Sequence, residues 1–142
     1  MKKLFWCVCL SLLFAGHAYA REPGVVKVDV LAKTSSSWNG KALPNYGEGT
    51  PEITILRIAI PAGVQLPMHE HPVINAGVLT KGTLTVTTKE GQVLHLQAGD
   101  SIVEVVDTWH YGKNNGSETA EIIVFYAGIQ GEPITIKANT LE

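Results

Sequence analysis

Short runs of alternating apolar and polar residues recur along almost the whole chain, and this pattern constrains the fold more than any other feature. Residues 83–88 and 93–97 each place apolar side chains at every second position, which is the period of a strand with one buried face. Dipeptides that end in glycine, such as Glu90-Gly91, separate the runs and are typical of tight turns. No helical periodicity longer than one turn occurs beyond residue 20. The sequence therefore predicts an all-β protein.

Glycine, proline and asparagine residues between these runs divide them into nine predicted strands. Closing so many short strands into a barrel or jelly roll removes exposed sheet edges and brings inward-facing side chains from several strands to one point. The predicted strands cover residues 25–31, 53–60, 73–79, 83–88, 93–97, 101–105, 110–113, 119–126 and 133–137.

The first twenty residues have the pattern of a secretory signal peptide. Two lysines precede an apolar run that is too short to anchor the chain in a bilayer, and Ala18-Tyr19-Ala20 supplies a small-x-small cleavage pattern. Both cysteines lie in this segment, so cleavage after Ala20 leaves a chain without thiols or disulfides. We therefore expect a periplasmic or secreted protein.

The chain that remains after cleavage has the length of one domain. We expect an N-terminal strand and loop over residues 21–51, a barrel core over 52–127, and a C-terminal strand and tail over 128–142. Nine basic and thirteen acidic residues give this part a formal charge of −4 without any basic run, which makes nucleic acid an unexpected partner. No later apolar stretch is long enough to span a membrane, so we expect a soluble protein.

Three histidines have the spacing of a metal site on a β-barrel. His69 and His71 are two residues apart, so on a strand both imidazoles point to the same side and can reach one ion. On a helix they would lie about 200° apart and could not share an ion, and the prolines on either side disfavour a helix there. His110, forty residues downstream, is the candidate for the third ligand. His95 lies outside this pattern and is predicted not to be a ligand.

Two further features have more than one interpretation. Glu104 could supply a carboxylate ligand or a general base if it faces inward, but an outward, solvated charge is the alternative. The polar loop over residues 34–50 is long for a small domain. Its Trp38 and Tyr46 could line the mouth of the barrel, or they could only anchor the loop on the outer wall.

Two blocks of the sequence resemble the two motifs of the cupin superfamily, and in particular those of small single-domain bacterial cupins. The blocks span residues 63–114, and the matching positions in the first are Gly63-x5-His69-x-His71-x3-Asn75-x6-Gly82, and in the second Gly99-x5-Val105-x-Asp107-x2-His110-x3-Asn114.

This resemblance implies a jelly-roll barrel in which His69, His71 and His110 take the positions of the histidine ligands. The fourth ligand of the family, a carboxylate or amide that is usually glutamate, corresponds to Asn75. Asn75 could coordinate weakly through its amide oxygen, or it could only orient a bound water. The usual proline and glycine of the second motif are replaced by Val105 and Asp107, which we expect to affect the shape of the turn more than its chemistry.

The resemblance leaves three functions open. The first is a metalloenzyme of dioxygenase, isomerase or lyase type that acts on a small anionic or oxygenated molecule, with Glu104 and Asn75 as candidate catalytic residues. The second is a binding module without chemistry, and the third is a structural barrel with a vestigial site. One divalent transition metal is the expected cofactor, and imidazole ligands accept Fe, Mn, Ni, Zn or Cu. A homodimer is expected only by analogy with the family.

Overall fold

A computed structural model describes residues 24–138, which form nine strands and no helix. The predicted signal peptide lies outside the described residues. Among those residues there is no helix of the length and apolar character needed to cross a membrane. The strands are β1 Pro51–Ile60, β2 His69–Glu70, β3 Ile74–Lys81, β4 Thr83–Thr88, β5 Val93–Gln97, β6 Ser101–Val103, β7 His110–Lys113, β8 Ala120–Ile129 and β9 Ile136–Lys137.

The strands form two antiparallel sheets that enclose one core. The four-stranded sheet has the order β1-β8-β3-β6, and the five-stranded sheet has the order β5-β4-β7-β2-β9. Alternation along each strand sends every second side chain inward, as the sequence pattern predicts. The buried core between the sheets contains Ile60, Leu79, Leu84, Val86, Leu96, Ile102, Ala120, Ile122, Val124 and Tyr126. The all-β, single-domain jelly-roll prediction is confirmed.

The prediction of a first strand over residues 25–31 is wrong, because the structure has no strand there. In the described part of the chain these residues pair with no other strand, and Val25 and Val28 are 94% and 80% exposed. A period-2 pattern indicates that a segment has one apolar face, but it does not show that a neighbouring strand exists within the same chain. The segment lacks such a partner here.

The strand predicted over residues 101–105 ends earlier, at Val103, because the chain turns toward the histidines. The amide of Glu104 donates to the carbonyl of Asn75 over 3.0 Å, and the amide of Asp107 donates to the carbonyl of His71 over 2.9 Å. Asp107 has a φ of 47°, a left-handed conformation that glycine adopts freely and that aspartate tolerates better than most residues. The replacement of the family's glycine by Asp107 therefore preserves the turn.

Candidate metal centre

Strand register brings the three predicted histidine ligands together. His69 on β2 lies directly opposite His110 on β7, and His71 follows two residues after His69. The ring centroids are 4.5 to 5.1 Å apart, and one nitrogen from each ring lies within 4.8 Å of the other two. Such a cluster of imidazoles is a candidate site for a transition metal.

Backbone carbonyls fix which nitrogen of each ring faces the cluster. Nδ1 of His69 lies 2.7 Å from the carbonyl of Pro67, and Nδ1 of His110 lies 2.8 Å from the carbonyl of Thr108. Nδ1 of His71 lies 2.8 Å from a carbonyl on a distant segment, at Ile134. A carbonyl only accepts, so each Nδ1 carries the hydrogen and each Nε2 keeps its lone pair for a metal.

Burial keeps the three imidazoles in the form that binds metals. Removal from water disfavours the charged ring and lowers the pKa of His69 and of His110 below the usual value. The same effect lowers the pKa of His71 to about 4. All three rings are therefore neutral at pH 7, so a metal does not have to displace protons from them.

Asn75 supplies a buried oxygen without a partner. The side chain is 1% exposed, and its Nδ2 donates to the carbonyl of Val73 over 3.3 Å, whereas its Oδ1 has no hydrogen-bond partner among the described residues. An unsatisfied buried oxygen is costly, by about 1 to 3 kcal/mol. Because Asn75 lines the same cavity as the three histidines, a cation or its bound water would satisfy this oxygen. The residues present therefore fit a divalent transition metal.

Glu104 faces inward and joins the histidine cluster. Its Oε2 accepts hydrogen bonds from Nε1 of Trp38 over 3.3 Å and from the amide of Val105 over 3.1 Å. The same oxygen lies 3.8 Å from Nε2 of His110. Burial raises the pKa of Glu104 to about 7, since removal from water disfavours the carboxylate. Of the two interpretations of Glu104, the inward one describes the structure.

The cavity beside these residues is small and mostly apolar. It has a volume of about 50 Å³, and none of the residues that line it in the described chain is a lysine or an arginine. Its apolar walls come from both sheets and include Ile58, Ile60, Leu84, Val86, Ile122 and Val124.

Tyr126 is a lining residue that sequence reasoning missed. It is 3% exposed and its ring centroid lies 5.3 Å from that of His71, and burial raises its pKa to about 12. The signal was present in the sequence, because alternation along β8 puts Ala120, Ile122, Val124 and Tyr126 on one face. A phenol on that face points into the barrel.

The remaining candidates lie away from the cluster or at its border. His95 is exposed on β5 and its Nδ1 lies 3.1 Å from Oγ1 of Thr85, so the structure does not bring it to the site. Trp38 packs against the core and contacts Glu104, whereas Tyr46 is 80% exposed. The two aromatic residues of the 34–50 loop thus differ, and only Trp38 reaches the centre.

The family model of the cupin domain matches residues 56–126, which is half of the chain. No curated protein matches the chain in amino-acid sequence.

Several solved structures share the fold at low sequence identity. A protein with a double-stranded beta-helix domain from Klebsiella pneumoniae is 19% identical, with a TM-score of 0.54 over 66% of this chain and 89% of that one. The DMSP lyase DddQ from Ruegeria pomeroyi is 15% identical, with a TM-score of 0.55 over 73% of this chain and 49% of that one. An oxalate oxidase in complex with the substrate analogue glycolate is 19% identical, with a TM-score of 0.51 over 74% of this chain and 63% of that one. This chain thus spans about half the length of the DMSP lyase.

Proposed function

The chain belongs to the cupin domain family, and we propose that it is a metal-dependent enzyme that moves a proton on a small anionic or oxygenated molecule. One observation carries the proposal. The carboxyl group of Glu104 lies 3.8 Å from Nε2 of His110 and borders the same cavity as the histidine cluster and the buried side chain of Asn75. A candidate metal site and a candidate acid-base group therefore border the same space.

The three histidines would hold one divalent transition metal through their Nε2 atoms. When bound, the ion acts as a Lewis acid that polarises a carbonyl or carboxylate oxygen of the substrate. Three neutral imidazoles and the neutral amide of Asn75 do not reduce the charge of the ion, so the site favours an anionic or oxygen-rich ligand. The same donors accept Fe, Mn, Ni, Zn or Cu.

Glu104 would act as the general base and then as the general acid. Trp38 and the Val105 amide hold its Oε2 in place, which positions the carboxyl group for proton transfer. As a carboxylate it takes a proton from the carbon next to the substrate carbonyl, and the electron pair of that C–H bond moves toward the carbonyl. In a 2-hydroxy carbonyl compound, transfer of the hydroxyl proton to the carbonyl oxygen and return of the abstracted proton to the former carbonyl carbon complete an isomerisation. In a substrate with a leaving group on the carbon at the other side of the deprotonated one, the same electron pair expels that group and completes a lyase reaction.

The cavity limits the size and chemistry of the substrate. One water needs about 10 to 15 Å³ of this kind of volume, so a space of about 50 Å³ accepts only a few non-hydrogen atoms. Among residues 24–138 no lysine or arginine lines the cavity, so a bound metal would supply the positive charge there. A molecule with one oxygen-rich end and a short apolar remainder fits these walls best.

The proposal places the protein in the periplasm or outside the cell. The signal-peptide pattern of residues 1–20 supports this location. The formal charge of −4 beyond Ala20 supports small molecules, and not nucleic acid, as its partners. The proposal includes no membrane partner, since the apolar runs after residue 20 are too short to span a bilayer.

A binding module without chemistry is the second candidate. The observation in its favour is the small cavity, which would hold a metal and a few waters even if no substrate entered it. In this case Glu104 and Asn75 would only stabilise the ion and its waters.

Removal of the proposed acid-base group tests the enzyme proposal. We expect Glu104→Gln to keep its bound metal but to lose turnover of small 2-hydroxy acids, 2-oxo acids or enediols by a factor of about 10² to 10⁴. Glu90→Gln, in an exposed turn, serves as the control with unchanged turnover. Metal content measured by elemental analysis and initial rates measured on the same preparations separate the outcomes. Bound metal without turnover of any such substrate by the unmodified protein would support the binding module instead.

A further inference from the structure

A second pocket lies outside the barrel, between the 34–50 loop and the segment that follows His71. Its volume of about 130 Å³ exceeds that of the cavity beside the histidines, and the two share no lining residue in the described chain. Its walls come from residues 44–47 of the loop, from residues 72–74, from Asp107 and from the last residues of β8. The proposed reaction uses no part of this pocket.

The loop that forms one wall packs closely against the end of β8. The amide of Gln130, just after β8, donates to the carbonyl of Thr50 over 2.9 Å. A Cβ added at Gly49 would lie 2.7 Å from Cγ2 of Ile129, so the absence of a side chain there lets the loop approach this strand. These contacts hold the wall in place. We therefore expect the pocket to be largely formed before a ligand binds, as small-molecule sites usually are.

Asp107 places a carboxylate at this pocket. The residue is exposed and lines the pocket, and within residues 24–138 its carboxylate forms no ion pair. Lys41 donates from Nζ to Oγ1 of the adjacent Thr108, but it does not line the pocket. The φ of Asp107 is 47°, a conformation that favours glycine, and the cupin motif usually carries glycine there. A side chain that is present despite such backbone strain points to a role for its carboxylate.

Tyr46 adds an aromatic ring to the same pocket. The residue is 80% exposed, and the face of such a ring carries negative potential that attracts cations, including the ammonium groups of ligands. No lysine or arginine of the described chain lines the pocket. The pocket therefore combines a negative group and an aromatic ring with apolar walls. These walls include Pro44, Pro72, Val73, Ile74, Ala127 and Ile129.

We propose that this pocket binds a small organic cation that carries an ammonium or quaternary ammonium head. The carboxylate of Asp107 balances the charge of the head, the ring of Tyr46 contacts it, and the apolar walls contact its methyl or methylene groups. At about 10 to 15 Å³ for each water-sized group, a volume of about 130 Å³ accepts roughly ten non-hydrogen atoms.

Other classes of ligand match these walls less well. A sugar presents hydroxyl groups on every side, but Asn45, Tyr46 and Asp107 are the only lining residues of the described chain with polar side chains. A metal ion needs several ligand groups, and among the described residues such a group is found only at the histidine cluster. An anion would face the carboxylate of Asp107. A cation with a small apolar body fits both the charge and the walls.

Two ligands of the same shape test the proposal. Choline has a trimethylammonium head, and its neutral analogue has a tert-butyl group in the same place. We expect choline to bind the full chain at low ionic strength with a dissociation constant of about 1 mM or below. The neutral alcohol should bind about tenfold more weakly or not at all. Isothermal titration calorimetry measures both constants. No binding of choline, or equal affinity for the two ligands, would overturn the proposal.

Variants locate the binding in this pocket. Asp107→Asn removes the charge and keeps a residue that tolerates the left-handed backbone, whereas Tyr46→Ser removes the ring. Each should raise the dissociation constant for choline about fivefold or more. Tyr46→Phe keeps the ring and should bind choline as the unmodified protein does.

Glu90→Gln removes the same charge from an exposed turn and is the matched control, with unchanged affinity for choline. The melting temperature of each variant confirms that it is folded. Unchanged affinity in Asp107→Asn or in Tyr46→Ser would contradict the proposal, because choline would then bind without the group that is assigned to it.

Discussion

Asn75 occupies the position at which the cupin motif usually carries a glutamate ligand. It lies in the cavity beside the histidine cluster, and its Oδ1 is buried without a hydrogen-bond partner in the part of the chain that the structure describes. A neutral oxygen at this position leaves the charge of a bound ion available to a ligand. The proposed chemistry of the site would therefore depend on the charge at position 75.

The substitution Asn75→Glu should reverse this balance. A carboxylate attracts a divalent cation more strongly than an amide does, so we expect metal affinity to rise by a factor of ten or more. Affinity for small anions should fall, because the carboxylate occupies a coordination position and reduces the positive field. Calorimetry with one metal, and then with an anion such as glycolate added to the metal-loaded protein, measures both effects. Unchanged values for both would show that position 75 does not interact with the ion.

Glu104 should make the metal-free protein less stable as the pH rises. Its folded pKa of about 7 exceeds the usual value of 4.5, so between these two values the unfolded chain releases a proton that the folded chain retains. Stability from this group is complete below about pH 4.5, decreases as the pH rises, and is lost above about pH 7. The lowered pKa of His71 makes stability rise with pH instead, so the contribution of Glu104 can be isolated only by comparing variants.

Glu104→Gln provides that comparison, since glutamine resembles the protonated side chain. We expect the unfolding free energy of the variant, relative to that of the unmodified protein, to increase by about 3 kcal/mol as the pH rises from 4.5 to 8. Urea unfolding in the presence of EDTA at several pH values measures the difference. Glu90→Gln in an exposed turn is the control. A difference for Glu104→Gln that does not change with pH would contradict the assignment.

At the level of elements, two glycine turns with the same backbone conformation differ in the space around them. Gly82, between β3 and β4, has a φ of 72°, and a Cβ there would lie 2.9 Å from Cα of Ala120. Gly91, between β4 and β5, has a φ of 88° and no atom within 4 Å of such a Cβ. Both positions disfavour alanine through the left-handed backbone, but only the first also forces two strands apart.

We therefore expect Gly91→Ala to cost about 1 kcal/mol of unfolding free energy and Gly82→Ala about 3 kcal/mol or more. Urea unfolding of both variants under the same conditions measures the two losses. Equal losses would mean that the backbone around Ala120 adjusts without strain.

The features that could be predicted from the sequence are those that depend on residues close together in the chain. The spacing of His69 and His71 and the alternation of β4 and β5 are local, so they could be read directly from the chain. The approach of Glu104 to the histidines depends on the pairing of β3 with β6 and on the turn after it, and no local pattern encodes that pairing. For the same reason the carbonyl of Ile134, which orients His71, could not have been found. The position of His110 followed from the motif resemblance, which already contains the long-range information.

At the level of the whole molecule, one ion would link segments that are far apart in the chain. His69 and His71 belong to one segment and His110 to another, so a metal held by all three would bind the folded barrel and not the unfolded chain. At a free metal concentration of about 100 times the dissociation constant, such binding stabilises the fold by about 2.7 kcal/mol. We expect EDTA to lower the melting temperature by several degrees.

Two histidine variants make this expectation specific. His110→Ala should contain no metal, remain folded, and melt at the same temperature with and without EDTA. His95→Ala should contain metal and respond to EDTA as the unmodified protein does, because His95 lies on the surface of β5. Calorimetric melting and elemental analysis measure both variants. Equal loss of metal from both would mean that His110 is not the third ligand.

The pairing of β1 with β8 has a consequence for synthesis of the protein on the ribosome. Pro51 pairs with Ile129 and Ile60 pairs with Ala120, so the partners are 60 to 78 residues apart in sequence. At about 5 to 20 residues per second, the isoleucine-rich β1 segment waits on the order of 3 to 16 seconds for its partner to be made. During that interval it resembles an aggregation-prone peptide more than a strand. Chaperones that hold nascent chains would therefore find residues 51–60 without their partner strand throughout this interval.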